Sequence, residues 1–330
     1  MGSLIDKPIG RSGLRMSAIA LGAGTYGREI DEEASWKVLD YATEKGITFH
    51  DNAEMYGGGN TYEKRKADYG TTEVLEASTE MYSGEKILSR WMKNRGCRND
   101  IVICTKVSTG NSAENIKKQM AASLERLEVD CVDVYMLHSP DDSVSIEETM
   151  DALNAEVEAR HTKVIGCSNF SGDQLREALA VSAKKGYARF EITEPRYNLA
   201  DRAAESDHFP ICREEEITVM PYSPLAAGFL TGKYTPDRSK FPKGARFDLS
   251  PGHADIYFND RNFRVVEHLR KKAEKIGLPM VHLAMAWAMT HPDVTATLIG
   301  ARTTNHIDNA LLASEMGLSA ELYDEMGRWE

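Results

Sequence analysis

Short apolar runs and amphipathic stretches alternate along almost the whole chain. Ser17–Leu21 has the apolar, unpunctuated character of a buried strand, and Glu32–Glu44 follows with Ala34, Val38, Leu39 and Ala42 on one helical face. The same grammar repeats. Strands are expected around Ile19, Thr48, Ile101, Val132, Val164, Phe190, Thr218 and Ala296. Helices are expected over Glu85–Lys93, Ala113–Leu127, Ser145–Ala159, Leu175–Lys185, His208–Glu215, Asn262–Ile276 and Val281–Met289, and from Asn305 onward. Ser145 with Glu148 and Ser171 with Gln174 have capping-box spacing. Leu4–Met16, with Pro8, Gly10 and Gly13, reads as a small hairpin before the main fold. Gly57–Ser83 and Ser223–Phe258 read as long irregular stretches. Eight strand-helix units without a second block of different character predict an α/β fold: a closed (β/α)8 TIM barrel over residues 1–330 as a single domain, with extended loops at its C-terminal face. A doubly wound sheet is the alternative.

Three strands end in an ionisable group. Phe49-His50-Asp51 runs out through Tyr56 into Gly57-Gly58-Gly59, Ile101–Thr105 ends in Lys106, and Val132–Leu137 ends in His138. In a barrel the strand ends converge on one face, so Asp51, Tyr56, Lys106 and His138 would meet. The set has a chemical use. A phenol has an ordinary pKa near ~10, too high for efficient proton exchange at neutral pH. A nearby ammonium lowers it, an aspartate holds the ammonium, and a histidine can hydrogen-bond the same substrate oxygen. Tyr56 would then protonate a carbonyl oxygen while a hydride arrives at carbon.

Composition narrows the field. A net charge of −11 argues against nucleic-acid binding, which needs a positive face, although a local basic pocket for a phosphorylated cofactor stays open. Cys97, Cys104, Cys131, Cys167 and Cys212 are odd in number, widely spaced and free of C-x-x-C, so reduced core thiols are expected. The N-terminus has no signal-like apolar run, and no segment approaches the ~20 apolar residues of a membrane span. A cytoplasmic protein without membrane partners is the expectation. A metal-dependent barrel hydrolase would need clustered His and carboxylate ligands, and His50 with His138 are too few.

Gly22-Ala-Gly24-Thr25-Tyr26-Gly27 matches the dinucleotide fingerprint G-x-G-x-x-G, but the helix signal begins only at Asp31, beyond the last glycine. The fingerprint would make Asp51 a ribose ligand, whereas the strand-end reading makes it the partner of a lysine.

Five stretches together resemble the successive signatures of the aldo-keto reductase superfamily: Phe49–Gly57, Cys104-Thr-Lys106, Leu137-His138-Ser-Pro140, Gly166-Cys-Ser168-Asn169-Phe170 and Tyr222-Ser-Pro-Leu225. The run Ser223–Tyr234 is similar to the branch with potassium-channel β-subunits and bacterial general reductases. The resemblance implies a catalytic tetrad of Asp51, Tyr56, Lys106 and His138, with Tyr56 as general acid in reduction and base in oxidation. It implies NADP(H), with NAD(H) as the alternative cofactor, and a small-molecule carbonyl or alcohol substrate. Ser168, Asn169 and Glu194 would meet the nicotinamide carboxamide and Tyr222 would stack on the ring. Gly24, Thr25 and Tyr26 would form a loop beside the nicotinamide rather than a phosphate cradle. Ser223, Leu225, Gly228 and Lys233 would lie over the pyrophosphate with Arg246 closing it. Gly300, Arg302, Asn305, Asp308 and Asn309 would take the adenosine and 2′-phosphate. No metal is implied. A channel-type regulatory subunit with incidental redox turnover is the second functional class, and self-association stays open.

Two departures stand out. Glu194 occupies a position where the family usually has glutamine; a carboxylate there would favour the cationic, oxidised ring or, alternatively, play an amide-like role through one oxygen. The spacing from Tyr56 to Lys106 is longer than usual for the branch, the surplus being Gly57–Ser83 with Tyr62, the charge run Glu63–Lys66, Tyr69 and Tyr82. The expectation is a solvated face that also covers the substrate mouth, suited to a hydroxylated substrate such as a sugar, or makes a subunit contact.

Overall fold

A computed structural model describes residues 4, 6–70 and 72–329. Ile5 and Thr71, which fall in the expected hairpin and in the 57–83 stretch, lie outside the described residues. An antiparallel hairpin, β1 (Asp6–Pro8) and β2 (Arg15–Ser17), comes first. Eight parallel strands follow: β3 (Ile19–Gly22), β4 (Phe49–Asp51), β5 (Val102–Val107), β6 (Val132–Leu137), β7 (Thr162–Ser168), β8 (Phe190–Glu194), β9 (Thr218–Val219) and β10 (Thr297–Gly300). Their order in the sheet is β10-β3-β4-β5-β6-β7-β8-β9. Closure comes from the seam between β9 and β10. There Thr295 N–H donates to the Val219 carbonyl at 2.9 Å and Leu298 N–H to the Pro221 carbonyl at 3.0 Å. The result is the (β/α)8 barrel, with helices around it.

Two apolar layers follow from strand alternation. Ala20, Phe49, Cys104, Val134, Met136, Val164, Ile192 and Met220 fill the interior of the barrel, and the hairpin adds Ile9 and Met16. A larger layer lies between strands and helices, with Ile19, Leu21, Val38, Leu39, Ile103, Tyr135 and Ile165 among its members. The hairpin closes the N-terminal mouth. Gly10 N–H donates to the Thr218 hydroxyl at 2.9 Å, and that hydroxyl donates to the Pro8 carbonyl at 2.8 Å. The opposite mouth, at the carboxyl ends of the strands, is left for chemistry.

Local sequence decides where the helices start. Ser171 and Gln174 form the expected capping box at the head of helix Gly172–Lys185. The Ser145 hydroxyl accepts from Glu148 N–H at 3.2 Å, but the Glu148 carboxylate turns to Ala113 N–H at 3.0 Å instead of reaching back. The two loops expected to be irregular carry structure. Helix Gly58–Tyr69 occupies the first, burying Gly58, Gly59, Asn60 and Arg65 rather than an apolar stripe. A Cβ on Gly58 would lie 2.0 Å from the carbonyl oxygens of both Gly27 and Ser78, so only glycine allows this close approach. The second loop is held by stacked rings, with Tyr234 and Phe247 centroids 4.3 Å apart and Phe241 edge-on to Phe258. It contains the short helices Arg246–Leu249 and Gly252–Tyr257. All five cysteines are free thiols. No described helix is long and apolar enough to cross a membrane.

Candidate active site

Strand register brings the ionisable groups together. Asp51 ends β4 beside Cys104 of β5, and Lys106 sits two residues further along β5, level with Met136. The Lys106 side chain is 1% exposed and its ammonium contacts the equally buried Asp51 carboxylate. It also donates to the Asn52 carbonyl at 3.1 Å and lies 3.2 Å from Glu194 Oε2, whose side chain is 2% exposed. Burial works against the ammonium, yet Asp51 and Glu194 hold its pKa well above the ordinary lysine range. Asp51, Glu194 and the Cys104 Sγ come within 4.8 Å of one another, a spacing suited to a cation. Lys106 already supplies that positive charge between the two carboxylates.

Tyr56 and His138 form the next layer up. The Lys106 ammonium lies 5.5 Å from the Tyr56 ring centroid, and the His138 ring meets Tyr56 edge-on with centroids 5.5 Å apart. Burial pushes the Tyr56 phenol above its ordinary pKa, Lys106 pulls it down, and Asp51 and Glu194 push it up again. The net direction is upward, so Tyr56 carries its proton at neutral pH and is placed to give it away. His138 is held near pKa 3 by burial and, secondly, by Lys106, so its imidazole is neutral. Its Nδ1 is 2.6 Å from the Ser108 hydroxyl. When Ser108 donates to Nδ1, the hydrogen of the neutral ring sits on Nε2.

A cavity of about 550 Å³ opens over this floor. Tyr222 O–H donates to Asn169 Oδ1 at 2.7 Å, and Asn169 Nδ2 donates to the His138 carbonyl at 2.8 Å. The Ser168 hydroxyl donates to the Glu194 carbonyl at 2.9 Å. One wall is therefore tied together across β6, β7, β8 and the end of β9. Asn169 and Ser223 take left-handed backbone, with φ of 60° and 58°. At the far end Lys233 and Arg302 face the cavity. Burial and then Arg302 lower the Lys233 pKa, as expected of cations crowded without a bridging carboxylate. Arg302 Nη1 donates to the Gly244 carbonyl at 3.0 Å.

Residues 18–329 match the Aldo/keto reductase family. The chain belongs to the aldo/keto reductase family. A probable voltage-gated potassium channel subunit beta of Oryza sativa subsp. japonica is 31% identical, covering 91% of this chain and 88% of the relative. The uncharacterized oxidoreductase YrpG of Bacillus subtilis is 28% identical over 95% of this chain and 92% of its own length. Aldo-keto reductase yakc of Schizosaccharomyces pombe, whose name carries NADP(+), is 29% identical over 91% of this chain and 85% of its own. The chain is thus similar both to oxidoreductases and to channel subunits.

Within this aldo/keto reductase, most residues expected to hold the cofactor line the one cavity: Gly24, Thr25, Asp51, Ser168, Asn169, Glu194, Tyr222, Ser223, Leu225, Gly228, Lys233, Arg246, Gly300, Arg302 and Asn309. Four expected site residues do not. Lys106 lies beneath the wall. Tyr26 is buried in the outer apolar layer, Asn305 is exposed to solvent, and Asp308 accepts from the Tyr41 hydroxyl at 2.5 Å. The cavity also takes in residues that strand-end reasoning missed: Arg28, Glu29, Arg196, His253, Tyr257 and His306. All but His306, which lies in the first turn of helix Thr304–Met316, are on loops or short helices, where no periodicity marks a direction. Glu29 receives Arg28 Nε at 2.9 Å and lies 3.4 Å from Arg246 Nε. This pair latches the loop after β3 to the loop after β9 above the cavity. No described residue of the 57–83 stretch lines the cavity. The stretch braces the β3 loop instead, through Ala77 N–H to the Arg28 carbonyl at 2.9 Å and Ser78 N–H to the Gly27 carbonyl at 2.8 Å. A Cβ on Gly252 of the short helix would lie 3.6 Å from the Tyr69 hydroxyl.

A dinucleotide suits these donors. An amide would meet Ser168 and Asn169, an aromatic ring Tyr222, and a phosphate Lys233 and Arg302, neither of which has a carboxylate within ion-pair distance among the described residues.

Proposed function

We propose that the protein is an NADP(H)-dependent oxidoreductase that interconverts an aldehyde, ketone or hydroxylated carbonyl with the corresponding alcohol. The observation that carries this reading is the buried Lys106 ammonium beside the Tyr56 ring, with His138 edge-on, on the floor of a cavity whose far end carries Lys233 and Arg302 with no direct ion pair among the described residues. When bound, the nicotinamide supplies a hydride to the carbonyl carbon. The remaining work belongs to the chain. Ser168 and Asn169 would hold the carboxamide, Tyr222 would support one face of the ring, Lys233 would lie over the pyrophosphate and Arg302 would hold the 2′-phosphate. His138, neutral, donates Nε2–H to the carbonyl oxygen and orients it. Tyr56 gives its phenolic proton to that oxygen as negative charge develops there, and Lys106 stabilises the phenolate left behind. In oxidation Tyr56 accepts the proton instead.

A panel of carbonyls and polyols followed by NADPH absorbance tests the reading. Turnover in the wild type that falls by about 10²–10⁴-fold in Tyr56→Phe supports it, the range expected for loss of a general acid. Turnover that survives in Tyr56→Phe contradicts it. The similarity to channel β-subunits favours one other reading, a cofactor-binding regulatory subunit. Bound NADPH that is oxidised once, without further turnover on any carbonyl, would select it.

A further inference from the structure

Charge counting on the cavity floor gives an odd result. Lys106 brings one positive charge, while Asp51 and Glu194 bring two negative ones if both are ionised, and all three side chains are 1–2% exposed. Water cannot compensate the surplus charge there, and an isolated buried carboxylate costs far more than a protonated one. Two oxygen atoms mark where the missing proton belongs. Asp51 Oδ2 and Glu194 Oε1 are both buried with no hydrogen-bond partner, and an oxygen of one carboxylate lies within 4.8 Å of an oxygen of the other. Two carboxylates at that distance do not both ionise; they share one proton.

We infer that Glu194 is a positioning residue held as a neutral carboxylic acid, sharing its proton with Asp51 while its second oxygen rests against Lys106. Asp51 takes the strong contact to the ammonium and the hydrogen bond geometry left over falls to Glu194. The groups facing Glu194 agree on this assignment. From β4 comes Asp51, which opposes a second negative charge, and from β5 comes Lys106, which one carboxylate already satisfies. Cys104 and Cys167, on β5 and β7, are buried thiols whose pKa values burial raises, so they add no charge. Tyr56 and Tyr222 are phenols raised chiefly by burial, and they are neutral as well.

The consequence falls on Tyr56, and this part alone rests on the reductase reading. A neutral Glu194 leaves the floor uncharged overall, so Lys106 keeps its pull on the phenol. An ionised Glu194 would raise the phenol further and weaken it as an acid. The position where the family has an amide is therefore filled by a group that behaves as one at neutral pH, and the charge preference for an oxidised ring disappears.

Infrared difference spectroscopy on the apoprotein tests the proton without requiring cofactor or turnover. The wild type at pH 7 should show the carbonyl stretch of a protonated carboxylic acid, downshifted in D2O. Glu194→Gln should remove it. Asp51→Asn should also remove it, because one carboxylate then faces one ammonium and Glu194 gives up its proton. Absence of the band in the wild type, or its survival in Glu194→Gln, overturns the assignment. A band that survives in Asp51→Asn overturns the shared proton, since burial alone would then hold it. Should the wild type show the band while no carbonyl is ever reduced, the proposed reaction fails and the proton assignment stands.

Discussion

The two ends of the cavity both present lysine or arginine, and they treat the charge in opposite ways. At the floor, Lys106 is wedged between Asp51 and Glu194 on rigid parallel strands. At the far end, Lys233 and Arg302 crowd each other with no carboxylate within ion-pair distance among the described residues, and they are carried by loops. A buried cation whose charge is matched cannot recruit an anion from solution, but it can bias a proton in a neighbouring phenol. A pair with no carboxylate at ion-pair distance is, on the proposed reading, open to a phosphate. On the proposed reading the same residue types serve catalysis at one end and binding at the other, and the neighbouring carboxylates decide which.

The sharpest way to break this contrast is to remove the matched cation. Lys106→Met should lower stability by about 3–5 kcal/mol, since it leaves Asp51 with no counter-charge in a dry site. A denaturant midpoint indistinguishable from wild type would show that the floor is wetter than its burial implies. Next in size is the unmatched end. Arg302→Ala should weaken NADPH binding by about 1.5–3 kcal/mol, the range for a charge-assisted hydrogen bond, and leave NADH binding little changed. Calorimetric titration of both cofactors checks it, and equal losses for the two would detach Arg302 from the 2′-phosphate.

The smaller effects concern pH. Folding holds the Glu194 proton above its ordinary value of 4.5, so the folded state binds more protons than the unfolded chain between that value and the raised one. The contribution is fully present below about 4.5 and is lost as pH rises through the raised pKa. The melting temperature of Glu194→Gln should therefore fall less steeply than that of wild type over this interval. His138 moves the other way. With its pKa held near 3, it stays neutral through the working range, and the rate of carbonyl reduction should show no limb near the ordinary imidazole value of 6.5. A limb there that vanishes in His138→Asn would mean the imidazole titrates in place.

How much of this was legible in the sequence depends on what fixed each residue's position. Asp51, Lys106 and His138 could be placed together because each ends an apolar strand, and parallel strands deliver their ends to one face. Helix Gly58–Tyr69 was not legible, because it opens on two glycines and buries Asn60 and Arg65, so no apolar stripe gives a 3.6-residue period. Arg28 and Glu29 were invisible as site residues for a related reason: a loop has no periodicity, and their direction is set by the bond network to Ala77, Ser78 and Arg246. Glu194 was singled out by position, but its partner was not. The contact with Lys106 crosses the barrel from β8 to β5, and only closure of the sheet brings those strands face to face. The hydrogen bond from Tyr41 to Asp308 likewise depends on packing between helices far apart in sequence.

The central claim is that the Lys106 ammonium makes the Tyr56 phenol exchange its proton more readily. It is tested most directly by single-turnover oxidation of an alcohol on NADP+-loaded enzyme, followed by NADPH absorbance as a function of pH in wild type and Lys106→Met. Oxidation requires the phenolate as base, so the rate should rise along a limb that reports Tyr56. The account predicts that this limb moves to higher pH when the ammonium is removed; a limb that stays where it was would contradict it.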